Sequence, residues 1–196
     1  MYTFDYDLFL WLNFDGGAVM DSVMKAVSTP AVWAWLYLLI LYMVWRKSGW
    51  RCTLLFLAMV GAAVGLSDLI AGIFKHTGLL GDVWPSFPVR LRPMHTPELE
   101  GLVHVIKQGG RYGTVSAHAA TMVSLAIPSI AILARRWFSW LMVMVVVLIC
   151  YSRIYMAYHF PMDIVLGVAT GAISGFVALW LYRLINSKFI VVGKGV

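Results

Sequence analysis

Residues 152–163 read SRIYMAYHFPMD and carry Arg153, His159 and Asp163 between two long apolar runs. His159 and Asp163 stand four apart, so on a continuous helix they share a face, with Pro161 forcing some local rearrangement. A carboxylate in that position holds one ring nitrogen of the histidine and leaves the other to attack an electrophile. A second segment, VSAHAA, places Ser116 at a helix start, where its hydroxyl and the open backbone N–H groups suit an oxyanion. His118, two residues on, meets the same anion from the other side. Lys75 and Arg92, with Arg153, supply fixed positive charge. Three cations, two histidines and a serine describe a phosphate site. No HExxH or multi-carboxylate spacing accompanies these residues to hold divalent ions, so no metal and no cofactor is expected, and the cations do the electrostatic work.

Each residue also has a plainer reading. Lys75 is a lysine snorkelling at a helix end, Arg92 faces lipid headgroups, and His118 packs on an alanine-rich helix. His76, His95 and His104 read as surface or rim residues, and Lys107 and Arg111 as groups that greet an anionic headgroup. The functional reading rests on the set: four separated stretches deliver ionisable groups to one face of a membrane protein, where such groups are costly.

The elements that position them follow from composition. The 196 residues are 61% apolar and 12% charged, with a mean hydropathy of +0.82. Soluble domains carry about 25% charged residues, so the chain reads as an all-α integral membrane protein. Five spans are expected, near 30–45, 53–74, 116–134, 137–157 and 162–185. Thr29-Pro30 marks the start of the first. Gly61, Gly65, Gly167, Gly171 and Gly175 form small-residue stripes that suit close helix contact in lipid. Cys52 and Cys150 have no metal or redox spacing and read as packing residues.

Charge orients the bundle. Arg46, Lys47, Arg51, Arg135, Arg136, Arg183, Lys188 and Lys194 fall at one set of span ends, which the positive-inside rule assigns to the cytoplasm. Asp5, Asp7, Asp15, Asp21, Asp82, Glu98, Glu100 and Asp163 fall at the opposite face, with Asp68 in the nearer half of the second span. The net charge of +6 is thereby explained by topology and carries no implication of nucleic-acid binding. The C-terminus is expected in the cytoplasm and the site on the extracytoplasmic face of a bacterial inner membrane.

Two domains of the sequence are distinguished. Residues 1–29 begin MYTFDYDLF, lack a basic leader region, and alternate apolar with acidic residues around Gly16-Gly17. They are expected to lie along the interface as an amphipathic segment, a sixth span being the alternative. Residues 30–196 form the membrane domain, with an extracytoplasmic loop at 75–115 in which ELEGLVHVIKQ is expected to form a short helix. Prolines 85, 88, 93 and 97 hold extended pieces around it.

These motifs resemble the type 2 phosphatidic acid phosphatase (PAP2) family. That family is marked by a lysine followed by Arg-Pro, a PSGH segment, and SR-x5-H-x3-D. The third motif is complete as Ser152-Arg153, His159 and Asp163. The second appears as Val115-Ser116-Ala117-His118, with valine and alanine replacing proline and glycine. The first is Lys75 with Arg92-Pro93, with sixteen residues between lysine and arginine where the family usually has about six. The resemblance implies a PAP2-type helical bundle in which His159 attacks phosphorus, Asp163 orients it and His118 protonates the leaving oxygen. Lys75, Arg92, Ser116 and Arg153 would hold the phosphate oxygens, and nothing in the scheme calls for a metal. It implies hydrolysis of a terminal phosphate from a membrane lipid. Undecaprenyl diphosphate is the first expectation, with lipid A, phosphatidylglycerophosphate and phosphatidic acid as alternatives. The long Pro- and Trp-bearing loop suits a bulkier sugar-lipid headgroup such as lipid A. Phosphotransfer to an acceptor hydroxyl, or a lipid transporter or binding bundle, are the rival classes.

Overall fold

The computed structural model describes residues 2–74, 83–84 and 90–187. Six α-helices follow one another: α1 (Tyr2–Leu12), α2 (Gly17–Val27), α3 (Ala34–Ile73), α4 (Ala117–Leu133), α5 (Arg136–Tyr155) and α6 (Pro161–Ile185). Short 3-10 turns occupy Pro30–Trp33, Pro93–His95 and Pro97–Leu99.

Three helical segments among the described residues are long and apolar enough to cross a membrane: Pro30–Ile73, Arg136–Tyr155 and Pro161–Ile185. This differs from the five expected, for two reasons. The first two expected spans belong to one 44-residue helical segment, and α4 is apolar but only 17 residues long. The long segment is not straight. Gly49 has φ 80° and ψ 172°, outside the helical region, a conformation glycine adopts without a Cβ penalty. Tyr37 and Val64 would lie about 40 Å apart on an unbroken helix, yet both line the same cavity. The segment therefore doubles back at Gly49. Lys47 beside the break donates to the carbonyls of Ile132 and Leu133 (2.7 and 3.1 Å), meeting orphan acceptors at the C-terminal end of α4.

The core runs through all four long elements. Leu36, Ile40 and Val44 repeat every fourth residue on one limb of α3, and Phe56 and Val60 do so on the other. They meet Met122 and Ala126 of α4 and Phe138, Met142, Val145 and Ile149 of α5. Large apolar side chains also face outward, including Trp45, Trp50, Trp137, Trp140 and Trp180. These tryptophans cluster with the basic residues at one end of the bundle, as an interfacial aromatic belt does.

The glycine stripes separate into two kinds. A Cβ on Gly167, Gly171 or Gly175 would come within 2.6 Å of the Ser116 carbonyl oxygen, 2.3 Å of the Ala120 carbonyl oxygen and 3.1 Å of Ile127 Cβ. So α6 packs backbone to backbone on α4, and that contact sets the height of Ser116 and His118. A Cβ on Gly61 or Gly65, by contrast, would meet no neighbouring element within 4 Å, and their expected role in close helix contact is not found among the described residues. Gly171→Ala is therefore expected to destabilise the fold by about 1–3 kcal/mol. Gly65→Ala leaves stability unchanged or raises it by up to about 1 kcal/mol. Unfolding of the two variants in detergent distinguishes them.

The loop differs from expectation. ELEGLVHVIKQ forms no α-helix: after the 3-10 turn Pro97–Leu99, Gly101 takes φ 78° and ends the turn. Residues 90–113 form a crossing of two extended pieces. Arg92 N–H donates to the Arg111 carbonyl (3.0 Å) and Gly113 N–H to the Arg90 carbonyl (3.1 Å) around an antiparallel bridge between Leu91 and Tyr112.

Candidate active site

The elbow between α5 and α6 builds the site. Helix α5 ends at Tyr155, and Ala157 adopts φ 58°, the left-handed conformation that closes many helix ends. Tyr158 and His159 N–H groups both donate to the Arg153 carbonyl (3.0 and 3.3 Å). The chain then restarts as α6 with Pro161 in its first turn. His159 thus sits in the turn and not on a continuous helix, the local rearrangement expected at Pro161. Asp163 still reaches it, because the third residue of a helix points back over the start: Asp163 Oδ2 accepts from Phe160 N–H (2.9 Å) and lies 3.5 Å from His159 Nδ1. His159 Nδ1 also lies 3.4 Å from the Gly113 carbonyl. With two acceptors at Nδ1, the proton belongs there and Nε2 keeps its lone pair.

Both residues are enclosed, His159 being 3% and Asp163 0% exposed. Burial pushes the His159 imidazole well below the ordinary histidine range, and the charges of Arg153 and Arg92 add to the effect, with a smaller contribution from His118. His159 is therefore neutral at pH 7. Its proton binding is weaker in the folded than in the unfolded chain. The stability this confers is present above about pH 6.5, the unfolded value, and is lost as pH falls toward the folded value. In a histidine titration of the substrate-free protein by NMR, His159 is expected to remain neutral at pH 6.

Two guanidinium groups flank one ring. Arg153 lies 4.3 Å and Arg92 5.3 Å from the Tyr158 centroid, a cation–π arrangement that holds two like charges close together. Arg153 Nη1 donates to Ser28 Oγ, while its buried Nε has no partner among the described residues. Arg92 Nε donates to the Tyr112 carbonyl (3.0 Å). Gly109 and Gly113 make room for this: a Cβ on Gly109 would sit 2.3 Å from Tyr158 Cε1 and 2.6 Å from Arg92 Nη1, and one on Gly113 would sit 2.8 Å from Arg92 Cγ.

Arg92, His118, Arg153 and His159 form the polar end of a cavity of about 610 Å³. Its remaining walls are mostly apolar and include Trp33, Ile40, Phe56, Val60, Met122 and Ile149, with Ser28 and Asp68 among the exceptions. Ser116 is brought beside this group but does not line the cavity. It is fully buried at the N-cap of α4, where its Oγ accepts from Ala119 N–H (3.4 Å) and its own N–H donates to the Asp163 carbonyl (3.1 Å). Lys75 lies outside the described residues.

Several residues were not singled out from sequence. Arg90 donates through Nη1 to Asp163 Oδ1 (3.1 Å), pairs through Nη2 with Asp5 Oδ2, and stacks 4.0 Å over the Phe160 ring. His104 is firmly placed, not a rim residue: its Nε2 lies 2.9 Å from Asp21 Oδ1, and its backbone N–H donates to Asn13 Oδ1 (2.8 Å). The Tyr155 hydroxyl and His104 hold Asp21 below the usual carboxylate range. Asp15, Asp21 and His104 are also a cluster of metal-ligand types, with ligand atoms within 4.8 Å of one another, but none of the three lines the cavity.

His159 with Asp163 behind it, His118, Arg92 and Arg153 are thus brought together at one end of a mostly apolar cavity. Residues 63–187 match the PAP2 superfamily, and the chain belongs to it: it is a membrane-associated lipid phosphatase of the multi-pass helical kind. Among its relatives, the Lipid A 4'-phosphatase of Porphyromonas gingivalis is 28% identical over 94% of this chain and 75% of its own length. The Lipid A 4'-phosphatase of Bacteroides thetaiotaomicron is also 28% identical, over 97% of this chain and 84% of its own. An Undecaprenyl-diphosphatase of Sulfolobus acidocaldarius is 23% identical over 90% of this chain and 77% of its own. The crystal structure of Aquifex aeolicus LpxE shares the fold, with a TM-score of 0.64 at 19% identity, covering 89% of this chain and 94% of that one.

Proposed function

We propose that this protein removes a phosphate from a lipid A-type glycolipid through a phosphohistidine on His159, without a metal ion. The observation that carries the reading is His159 itself, buried, with its Nδ1 facing Asp163 and the Gly113 carbonyl and the residue lining the polar end of the cavity. His159 Nε2 attacks phosphorus and the bond from phosphorus to the lipid oxygen breaks. His118 gives that oxygen a proton. Water then attacks the phosphohistidine, His118 takes its proton, and phosphate leaves. Arg92 and Arg153 hold the equatorial oxygens, with Lys75 as a third cation. Ser116 contributes by fixing the start of α4, whose first N–H groups face an anion. Divalent ions want several carboxylate or carbonyl oxygens, whereas the groups around the phosphate position are chiefly cationic.

The choice of lipid is supported by the two lipid A 4'-phosphatase relatives, which resemble the chain over nearly its whole length. They favour that substrate over undecaprenyl diphosphate, the first expectation from sequence. In the membrane the chain makes five passes, with the two limbs of α3 as separate crossings and α4 as a short one, in a bacterial inner membrane. The site faces outward, the C-terminus lies in the cytoplasm, and residues 1–29 lie along the outer interface. The test is phosphate release by the detergent-purified protein in EDTA. The panel is lipid A, undecaprenyl diphosphate, phosphatidylglycerophosphate and phosphatidic acid. Lipid A is expected to be cleaved fastest; preference for undecaprenyl diphosphate overturns the substrate, and a requirement for added metal overturns the mechanism.

A further inference from the structure

The N-terminal helix reaches the same histidine through two intermediaries. Arg90 stands between two carboxylates, Asp163 of α6 and Asp5 of α1. Asp163 is wholly buried, and one of its oxygens accepts the Arg90 Nη1–H (3.1 Å) while the other serves Phe160 N–H and faces His159 Nδ1. Asp5 is itself buried, and its second oxygen accepts from Met162 N–H (3.0 Å), one of the open donors at the start of α6. The Arg90 guanidinium carbon lies over Phe160, 4.0 Å from the ring centroid, a contact that helps hold its fork in place.

From this geometry we infer that Arg90 and Asp5 are positioning residues for the reaction: Arg90 keeps Asp163 ionised and aimed at His159, and Asp5 keeps Arg90 from closing onto Asp163 alone. The inference rests on His159 as the nucleophile. A carboxylate removed from water without a cation takes up a proton. Protonated Asp163 would present an O–H to Nδ1 and drive the ring proton to Nε2, the atom that must attack. The reverse failure is an arginine with a single partner, which would draw the carboxylate away from the histidine. Two carboxylates sharing one guanidinium avoid both, and carry one negative charge in excess. The positive charge that develops on His159 during attack balances that excess.

The test uses Arg90→Gln, Arg90→Lys and Asp5→Asn in the full chain, each alone and combined with Asp163→Asn. Arg90→Gln is expected to lower kcat by about 100-fold, the cost of a misplaced reacting group, with KM within threefold. It also moves the acid limb of kcat/KM to higher pH, measured against the parent on the same lipid. Asp5→Asn lowers kcat by about 10-fold without that upward movement, and Arg90→Lys, which keeps the charge, restores the limb. In the Asp163→Asn background neither substitution costs anything further. Losses that persist in that background, or that fall on KM with the limb unmoved, overturn the inference. The ring-nitrogen shifts of His159 in substrate-free protein give a second reading that needs no turnover. Arg90→Gln raises the share of the Nε2–H tautomer, and an unchanged tautomer overturns the inference even if the parent cleaves no lipid, an outcome that would separately sink the proposed function. Should Arg90→Gln fail to fold, Asp5→Asn with and without Asp163→Asn decides: a loss of kcat of about tenfold that vanishes in the Asp163→Asn background is expected, and a loss that persists there overturns the inference.

Discussion

His159→Ala lowers phosphate release from the lipid by about 10⁴-fold or more, a loss on the scale seen when a nucleophile acting as part of a unit is removed. The reason is local. His159 is a buried residue of the described cavity wall whose Nδ1 already faces the Gly113 carbonyl and Asp163. His118 lines the same cavity but is only partly buried, and the proposed mechanism uses it for protons. The variant should still fold, since the elbow is held by backbone bonds from Tyr158 and His159 N–H to the Arg153 carbonyl. The check is turnover alongside trapping of acid-labile phosphate on the chain after a brief exposure to labelled lipid. The parent is expected to carry label at His159 and the variant none. Label on the variant, or turnover within tenfold of the parent, sinks the nucleophile assignment.

Arg153→Lys is expected to cost about 10²- to 10³-fold in kcat, the range for removing one preorganised donor to a developing anion. The substitution keeps the charge, so the effect measures geometry. Arg153 splits its fork, with Nη1 spent on Ser28 and Nε without a partner among the described residues, while its plane lies against Tyr158. An unpartnered buried N–H is costly, and Arg153 lines the cavity in which the proposed mechanism places the phosphate. A lysine ammonium on a flexible stem can take one of these places, but not both, and it stacks less well on the ring. The comparison is kcat for Arg153→Lys against Arg92→Lys. Arg92 already gives its Nε to the Tyr112 carbonyl and lies farther from the ring, so its replacement is expected to cost less. Equal losses would remove the special role given to the Arg153 fork.

Much of the bundle was legible in the sequence because apolar length and charge placement are local properties. The expected spans 116–134, 137–157 and 162–185 lie within two residues of helices α4, α5 and α6. The reversal at Gly49 was legible only as a polar gap between two apolar runs. Whether 30–73 is one long segment or two depends on a backbone angle that the sequence does not state. ELEGLVHVIKQ carries helix formers, but Gly101 in its middle and the pairing of 90–92 with 111–113 outweighed them. For the site, the motif spacing singled out His159, Asp163, Arg153, His118 and Arg92, which the fold brings together. It did not find Arg90 or Asp5, because no local pattern joins residue 5 to residues 90 and 163. The available signal was chemical: a carboxylate at the foot of an apolar helix needs a cation, and Arg90 was an unassigned arginine beside an assigned one.

The bond from Met162 N–H to Asp5 also has a consequence for how the molecule is made. Its partners are 157 residues apart. At about 5–20 residues per second, the ribosome delivers the second roughly 8–30 s after the first. During that interval the Asp5 oxygen that Met162 N–H will meet has no such donor, and the pocket has neither its histidine nor the helix that aims it. A chain released before α6 is inserted is therefore inert toward lipid. Biogenesis itself keeps half-built copies from dephosphorylating the membrane into which they are being threaded.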